Sequence, residues 1–450
     1  MLGQILAIAR NTFLESIRQP IFFILLVTGG ILQIPNTLLA LYSMDYSDSA
    51  EVSADHKLLL DMGLATVFVV GLLLTALIST AVLSREIENK TALTVISKPI
   101  GRPLFILGKY LGAVGAVLVG VLILLIFFQF SLRHGTLSTA RDGIDGPVVV
   151  FGMLAMGFSI GLGAWGNYFY GWVFSSTCVA TMVPSLLLAL LMTWLVSAEW
   201  EWQPISEDFK PQIMLACACV AMSMAVLTSV AVAASTRLGQ VMTLVACAGV
   251  FMLGLLSNSF FGAPAYTNTK QATIFSTTLI DDSDGDFSDA GDTYDLLLDG
   301  PMLERVRAGD NLHYGPSPNG IGFVTGEQLP YEGDPLDEQD IYRDTQSSIV
   351  VTEYRDNPPG LVIRNAGSHP VGRAPMEGDS LFLEPTRVNR ASALAWGVVP
   401  NMQFFWLVDA ITQAHTIPPR YIGLVGLYAI AQIIAMLALA TMLFQSRDVG

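Results

Sequence analysis

Apolar runs of span length recur along this chain, at 20–42, 58–83, 104–132, 147–165, 172–196, 213–234, 241–261 and 422–444. A helix needs about 20 apolar residues to cross a bilayer, so the pattern predicts about eight transmembrane helices. The apolar stretch 147–196 is too long for one span. It predicts a hairpin broken near 166–171, with Asn167, Tyr168, Tyr170 and Trp172 at the interface that such rings favour. Ahead of the first span, Leu2, Ile5, Leu6, Ala9, Phe13 and Ile17 recur at helical spacing, with Arg10, Asn11, Glu15 and Arg18 off that stripe. This predicts an amphipathic interfacial helix over 1–19. The same charges interrupt any unbroken apolar core, so no cleavable signal peptide is expected.

The pattern changes at 262–400, where alternation, Gly, Pro and Asp replace long apolar runs. Residues 348–354 and 361–364 read as strands joined by a turn at Asn357-Pro358-Pro359-Gly360. A mainly β or irregular domain is expected here. Residues 401–419 read as an amphipathic interfacial helix, and 420–450 as the last span with a short tail. The predicted fold class is an all-α polytopic membrane protein with an inserted, mainly β domain. Spans one to seven occupy 20–261.

Composition agrees: only 14% of residues are charged and 52% are hydrophobic, against roughly 25% charged in soluble domains. The net charge of −15 is concentrated. Residues 262–390 hold 22 Asp and Glu against 9 Lys and Arg, so they account for nearly all of it. In the remainder, bases cluster at alternate span ends: Arg10, Arg18, Arg85, Lys90, Lys98, Arg102, Lys109, Arg237 and Arg447. Only Glu15, Glu86, Glu88 and Asp448 oppose them there. The positive-inside rule then puts both termini and 84–103 in the cytoplasm and the acidic domain outside.

Few chemistries fit these residues. Cys178, Cys217, Cys219 and Cys247 all lie in apolar runs and suit buried helix thiols rather than a disulfide or zinc framework. Asp282, Asp284 and Asp286 form a calcium candidate, but the glycine stands at the fourth position rather than the sixth and no closing glutamate follows. A solvated acidic loop fits them better. No HExxH, GxSxG or P-loop occurs, so the chain is expected to be no enzyme and to hold no cofactor. The spans carry no ionisable residue deep in the membrane, which argues against an ion-coupled carrier.

The charged stretch Ser84-Arg85-Glu86 to Pro103 lies between the second and third spans. Glu86 and Lys90 stand four apart in the favourable acid-first order. On composition alone, a loop that only fixes topology accounts for it better than a coupling role. Yet Ser84-Arg85-Glu86, Thr91, Ser97-Lys98-Pro99, Arg102 and Lys109 closely resemble the signature of type-two ABC exporter permeases. The likeness is to the branch with the nitrous-oxide-reductase maturation and gliding-motility permeases. Ser16-Ile17-Arg18-Gln19-Pro20, the turn Ser235-Thr236-Arg237-Leu238, and the ending with Val399-Pro400-Asn401, Phe404, Asp409, Ile417-Pro418, Tyr421, Tyr428, Phe444 and Arg447 resemble it too.

The resemblance implies usually six membrane helices per subunit and a second permease copy, with ATP and Mg held by two separate ABC ATPase subunits. It implies docking on that ATPase through Arg85, Glu86, Glu88, Lys90, Thr91, Lys98, Pro99 and Arg102. Glu86 and Glu88 would meet bases, and Arg85, Lys90 and Arg102 acids or lipid phosphates. It further implies a bacterial inner-membrane location and no nucleic-acid partner. This chain departs from the family in its extra spans and its large acidic domain. A non-transporting scaffold or sensor presenting that domain to a periplasmic partner is the alternative, and a membrane-embedded enzyme a third.

Overall fold

The computed structural model describes residues 2–39, 54–84, 101–136, 144–280, 287–343, 347–412 and 417–445. The chain divides into two units, Met1–Leu255 with Pro400–Gly450, and Leu256–Val399. The first is helical: α1 Leu2–Ile17, α2 Pro20–Leu39, α3 Ala54–Ser79 running into a π turn Thr80–Ser84, α4 Arg102–His134, α5 Gly146–Tyr170, α6 Phe174–Leu195, α7 Pro211–Ser235 and α8 Gln240–Leu255. After the inserted unit, whose last helix is α9 Arg390–Val398, come a 3-10 turn Met402–Phe405, α10 Val408–Thr412 and α11 Pro419–Gln445. Among the described residues, seven helices are long and apolar enough to cross a membrane. The broken pair Gln240–Leu255 and Asn258–Ala265 makes an eighth if it counts as one span. The protein is therefore a polytopic membrane protein with an additional β-rich unit.

The core of the helical unit gathers on α4, whose glycines let neighbours approach. A Cβ on Gly112 would lie 2.4 Å from the Ala9 carbonyl oxygen and 2.5 Å from Thr12 Cβ; one on Gly108 would lie 2.9 Å from Ile8 Cβ. This small-xxx-small spacing allows close backbone contact where apolar burial gives helices little drive to associate in lipid. The α1 residues that meet α4 are Ile8, Thr12, Phe13 and the backbone of Ile5 and Ala9; of the predicted stripe, Ile17 is buried and Leu2 and Leu6 are exposed. Gly112→Ala is expected to cost about 1–3 kcal/mol, because the clash is with backbone. Thermal unfolding in lipid nanodiscs checks this, and an unshifted midpoint counts against the contact.

Polar groups tie α2, α3 and α4 together. Gln33 Nε2 donates to the Gly63 carbonyl at 3.0 Å, Asn36 Nδ2 to Gln33 Oε1 at 3.0 Å and to Thr66 Oγ1 at 3.1 Å, and Ser131 Oγ to the Gln33 carbonyl at 3.2 Å. Without such partners each of these buried groups would be costly in lipid. The α5–α6 hairpin turns at Gly171, whose left-handed conformation (φ 67°) ends α5 in the manner of a glycine C-cap. That break falls a few residues beyond the centre of the predicted one. The seventh predicted run, 241–261, is not one continuous helix, because α8 stops at Leu255.

A correction concerns 401–419. Among its described residues there are two short helical pieces in place of one helix, and Met402, Phe405 and Val408 are buried in the helical core. Asn401 N–H donates to Tyr428 Oη at 2.8 Å and Tyr421 Oη to the Phe404 carbonyl at 2.9 Å, which binds the segment to α11. Gly254 admits it, since a Cβ there would lie 2.4 Å from the Pro400 carbonyl oxygen.

The inserted unit contains β1 Tyr266–Thr267, β2 Ala272–Leu279, β3 Thr293–Leu298, β4 His313–Gly315, β5 Ser348–Asp356, β6 Pro359–Ala366, β7 Ser380–Phe382 and β8 Arg387–Val388. The larger sheet runs β4-β7-β2-β3-β6-β5, antiparallel throughout. Residues just before β4 pair with β5: Leu312 N–H donates to the Ile349 carbonyl, Val351 N–H to Asp310, and Gly309 N–H to Val351. The two edges of the sheet are thus joined over residues 309–312 and 349–351, and the sheet closes on itself there as in a barrel. Register breaks at Ile274/Ser276 and Val351/Glu353 supply the bends. Leu296, Tyr314, Ile349, Val351, Leu361, Ile363 and Leu381 fill the interior. β1 and β8 pair where the chain enters and leaves the barrel, and Trp396 of α9 donates from Nε1 to Asn258 Oδ1 at 3.1 Å.

Candidate functional site: the amino end of α4

The sequence-derived docking residues Arg85, Glu86, Glu88, Lys90, Thr91, Lys98 and Pro99 lie outside the described residues, as do the calcium candidates Asp282, Asp284 and Asp286. Among the described residues no group of three His, Cys, Asp or Glu side chains is placed to hold a metal ion. The flanks of 85–100 are described. On one side, α3 ends in its π turn, where Thr80 Oγ1 bonds back to the Ala76 carbonyl at 2.8 Å. On the other, Gly101 and Pro103 open α4. Proline suits a first helical turn because its missing N–H has no partner to lose there.

Arg102 is half-buried, and its Nη1 donates to the Gln445 carbonyl at 2.8 Å. Arg237, in the turn between α7 and α8, donates from Nε to the Leu443 carbonyl at 3.0 Å. The last carbonyls of a helix have no partner within it and carry its negative dipole end, so two guanidinium groups from other elements suit the C-terminus of α11. Directly inside this pair, Phe105 and Phe444 stack with ring centroids 5.8 Å apart. Ile106, Tyr110, Val232, Ala233 and Ala440 complete a separate small core. Lys109 is buried with its Nζ 5.6 Å from the Phe105 centroid, a distance at which a cation is attracted by the ring. Tyr110 Oη donates to the Ala225 carbonyl at 3.3 Å.

The arrangement joins elements. The start of α4, the α7–α8 turn and the end of α11 are held as one block at the edge of the 85–100 segment. Within the chain, Arg102 donates to a helix terminus. Sequence reasoning missed the roles of Lys109 and Tyr110. The signal for Lys109 was its spacing of seven from Arg102, which places both on one helix face. All four cysteines are buried and free.

Residues 6–165 match the family model described as ABC-2 family transporter protein. The match includes α1–α4, the 85–100 segment and most of α5. It supports a permease component of an ABC system, a class of transport membrane subunit that works with an ABC ATPase. No curated protein and no solved structure matches the chain.

Proposed function

We propose that this chain is the membrane-spanning permease subunit of an ATP-driven export complex in the bacterial inner membrane, with both termini cytoplasmic and the β unit outside. The observation that carries the reading is the family match over residues 6–165, which contains the whole charged segment and both of its flanks. ATP and Mg sit on a separate ATPase, and a second permease copy completes the pore. ATPase closure moves segment 84–103, with Glu86 and Glu88 facing bases on the ATPase. The bond from Arg102 to α11 then passes that movement to a helix on the far side of the chain, and the two permease halves rock against each other.

A cycle that moves the outer β unit is a second reading of the same machine. One observation favours it. Arg237 ties the turn before α8 to the end of α11, and these are the helices that precede and follow the β unit in sequence. A non-transporting scaffold would need neither an ATPase nor this bond.

Affinity purification from the native membrane is expected to bring down a soluble ATPase. The Glu86→Lys/Glu88→Lys double variant is expected to keep its thermal unfolding midpoint and to lose at least tenfold in ATPase affinity, since each charge pair removed is worth about 1 kcal/mol or more and the reversed charges repel. Unchanged affinity removes the docking role; absence of any ATPase removes the class.

A further inference from the structure

A cleft of about 890 Å³ opens in the β unit, a volume within the range of small-ligand sites. Tyr266, Phe323 and Tyr331 line it with the carboxylates of Asp310 and Glu327 and with His313; no Lys or Arg is among the lining residues. Its wall is fixed by Gln328, whose Nε2 donates to the Leu312 carbonyl at 2.8 Å and whose Oε1 accepts from Ile349 N–H at 3.0 Å. A carbonyl only accepts and an amide N–H only donates, so these two bonds set which end of the Gln328 amide is nitrogen.

That assignment decides the tautomer of His313. Its Nδ1 lies 3.4 Å from the Gln328 nitrogen and 3.2 Å from Thr325 Oγ1. Facing an amide donor, Nδ1 must present its lone pair, so the proton sits on Nε2. Burial keeps the ring neutral, well below the usual histidine range, at a pKa of about 4. His313 is only 5% exposed, its ring stacks on Phe323 with centroids 4.8 Å apart, and among the described residues Nε2 has no protein partner. A donor without a protein partner on a ring this enclosed, lining a cleft, is open to a partner that enters the cleft.

The ligand must therefore bring an acceptor to Nε2–H and donors to the carboxylates of Asp310 and Glu327. One oxygen of Asp310 is already taken by Arg307 N–H at 2.7 Å, which leaves the other and both of Glu327. An ammonium has donors only and fails at His313. A phosphate or carboxylate ligand meets no base in the cleft and a strongly acidic domain around it, and is repelled. A hydroxyl donates and accepts at once. Aromatic and apolar walls add a surface for the carbon face of a ring. From these constraints we infer that the cleft binds a neutral carbohydrate, by its hydroxyls on His313, Asp310 and Glu327. The inference stands on the β unit alone and is separate from the ATPase reading.

The test is calorimetric titration of the full chain in nanodiscs with maltotriose, mannotriose and chitotriose, and with a diglucosyl lipid incorporated into the nanodiscs as a competitor of the soluble sugars. Saturable binding of a soluble trisaccharide supports a free glycan end, and binding of the lipid-borne sugar alone supports a membrane-borne one. Either binding is expected to weaken at least tenfold in the Asp310→Asn/Glu327→Gln variant, which keeps the acceptor for Arg307 N–H and alters an exposed side chain. That change corresponds to hydrogen bonds to charged groups. His313→Phe is expected to abolish binding. Absence of saturable binding at about 10 mM of each sugar, well above the weakest specific affinities, overturns the proposal. So does unchanged affinity in the double variant, or spermine binding competitively in the same cleft.

Discussion

Arg133→Met is expected to destabilise the helical unit by about 3–5 kcal/mol, the cost of leaving a buried charge without its partner. Arg133 stands in the last turn of α4. Its Nη1 lies 2.9 Å from Asp145 Oδ2 and its Nε 2.7 Å from Asp208 Oδ2, with the three side chains 15%, 5% and 21% exposed. Asp145 is also the N-cap of α5 and accepts from Val148 N–H at 3.1 Å. Asp208 further accepts from Gln203 Nε2. One guanidinium therefore holds the end of α4, the start of α5 and the loop before α7, and its removal leaves two carboxylates facing each other. Lysine is a poor substitute, because a single ammonium lacks the fork that reaches both. The unfolding midpoint in nanodiscs measures the loss. Charge, rather than packing, is isolated by Arg133→Met/Asp145→Asn/Asp208→Asn. Asparagine still caps a helix, so this variant should recover most of the stability; if it is no more stable than Arg133→Met, the charge argument fails.

Acidification is expected to destabilise the β unit by about 3 kcal/mol between pH 6.5 and 4, through His313. Desolvation by burial, and secondarily the neighbouring His369, lower its pKa from 6.5 to about 4. Between those values the unfolded chain binds a proton that the folded barrel refuses, so stability rises with pH across the window. The contribution is fully present above about pH 6.5, falls as pH drops, and reaches its full loss below about pH 4. Each pH unit between the folded and unfolded values is worth about 1.36 kcal/mol, which gives the figure above. The groups facing the ring are Thr325, Gln328, Phe323 and His369, so a new charge there meets no carboxylate in hydrogen-bond contact. Limited proteolysis of the full chain across this pH range reads the loss as an increase of about 100-fold in cleavage within the barrel. His313→Gln should flatten the profile, and a wild-type profile already flat would discard the assignment.

The two cases differ in how far they could be read in advance. Arg133 and Asp145 stand at the edges of apolar runs, where charges are expected, but nothing in sequence joins either to Asp208. Nothing in the sequence around His313 marks it as buried. Its burial follows from segment 309–315 pairing with β5 on one part and β7 on the next, and no alternation in Asn311-Leu312-His313-Tyr314-Gly315 announces a strand that closes a barrel. The β5–β6 hairpin, by contrast, was legible, because Ser348–Asp356 and Pro359–Ala366 pair with each other and their partners are close in sequence.

Sequence by itself determined the place of seven spans, the inserted β-rich unit and the charged stretch after α3. Each is a local matter: hydrophobic length, alternation and charge act over a few to about 20 residues. Tertiary structure alone decided which face of α1 meets α4, that 401–412 folds into the helical core, that the sheet closes, and that Arg102 bonds to Gln445. The last two residues are 343 positions apart. Such pairings depend on which surfaces meet once the helices pack, where a glycine without a Cβ or a carbonyl without a partner selects its neighbour by fit rather than by position along the chain.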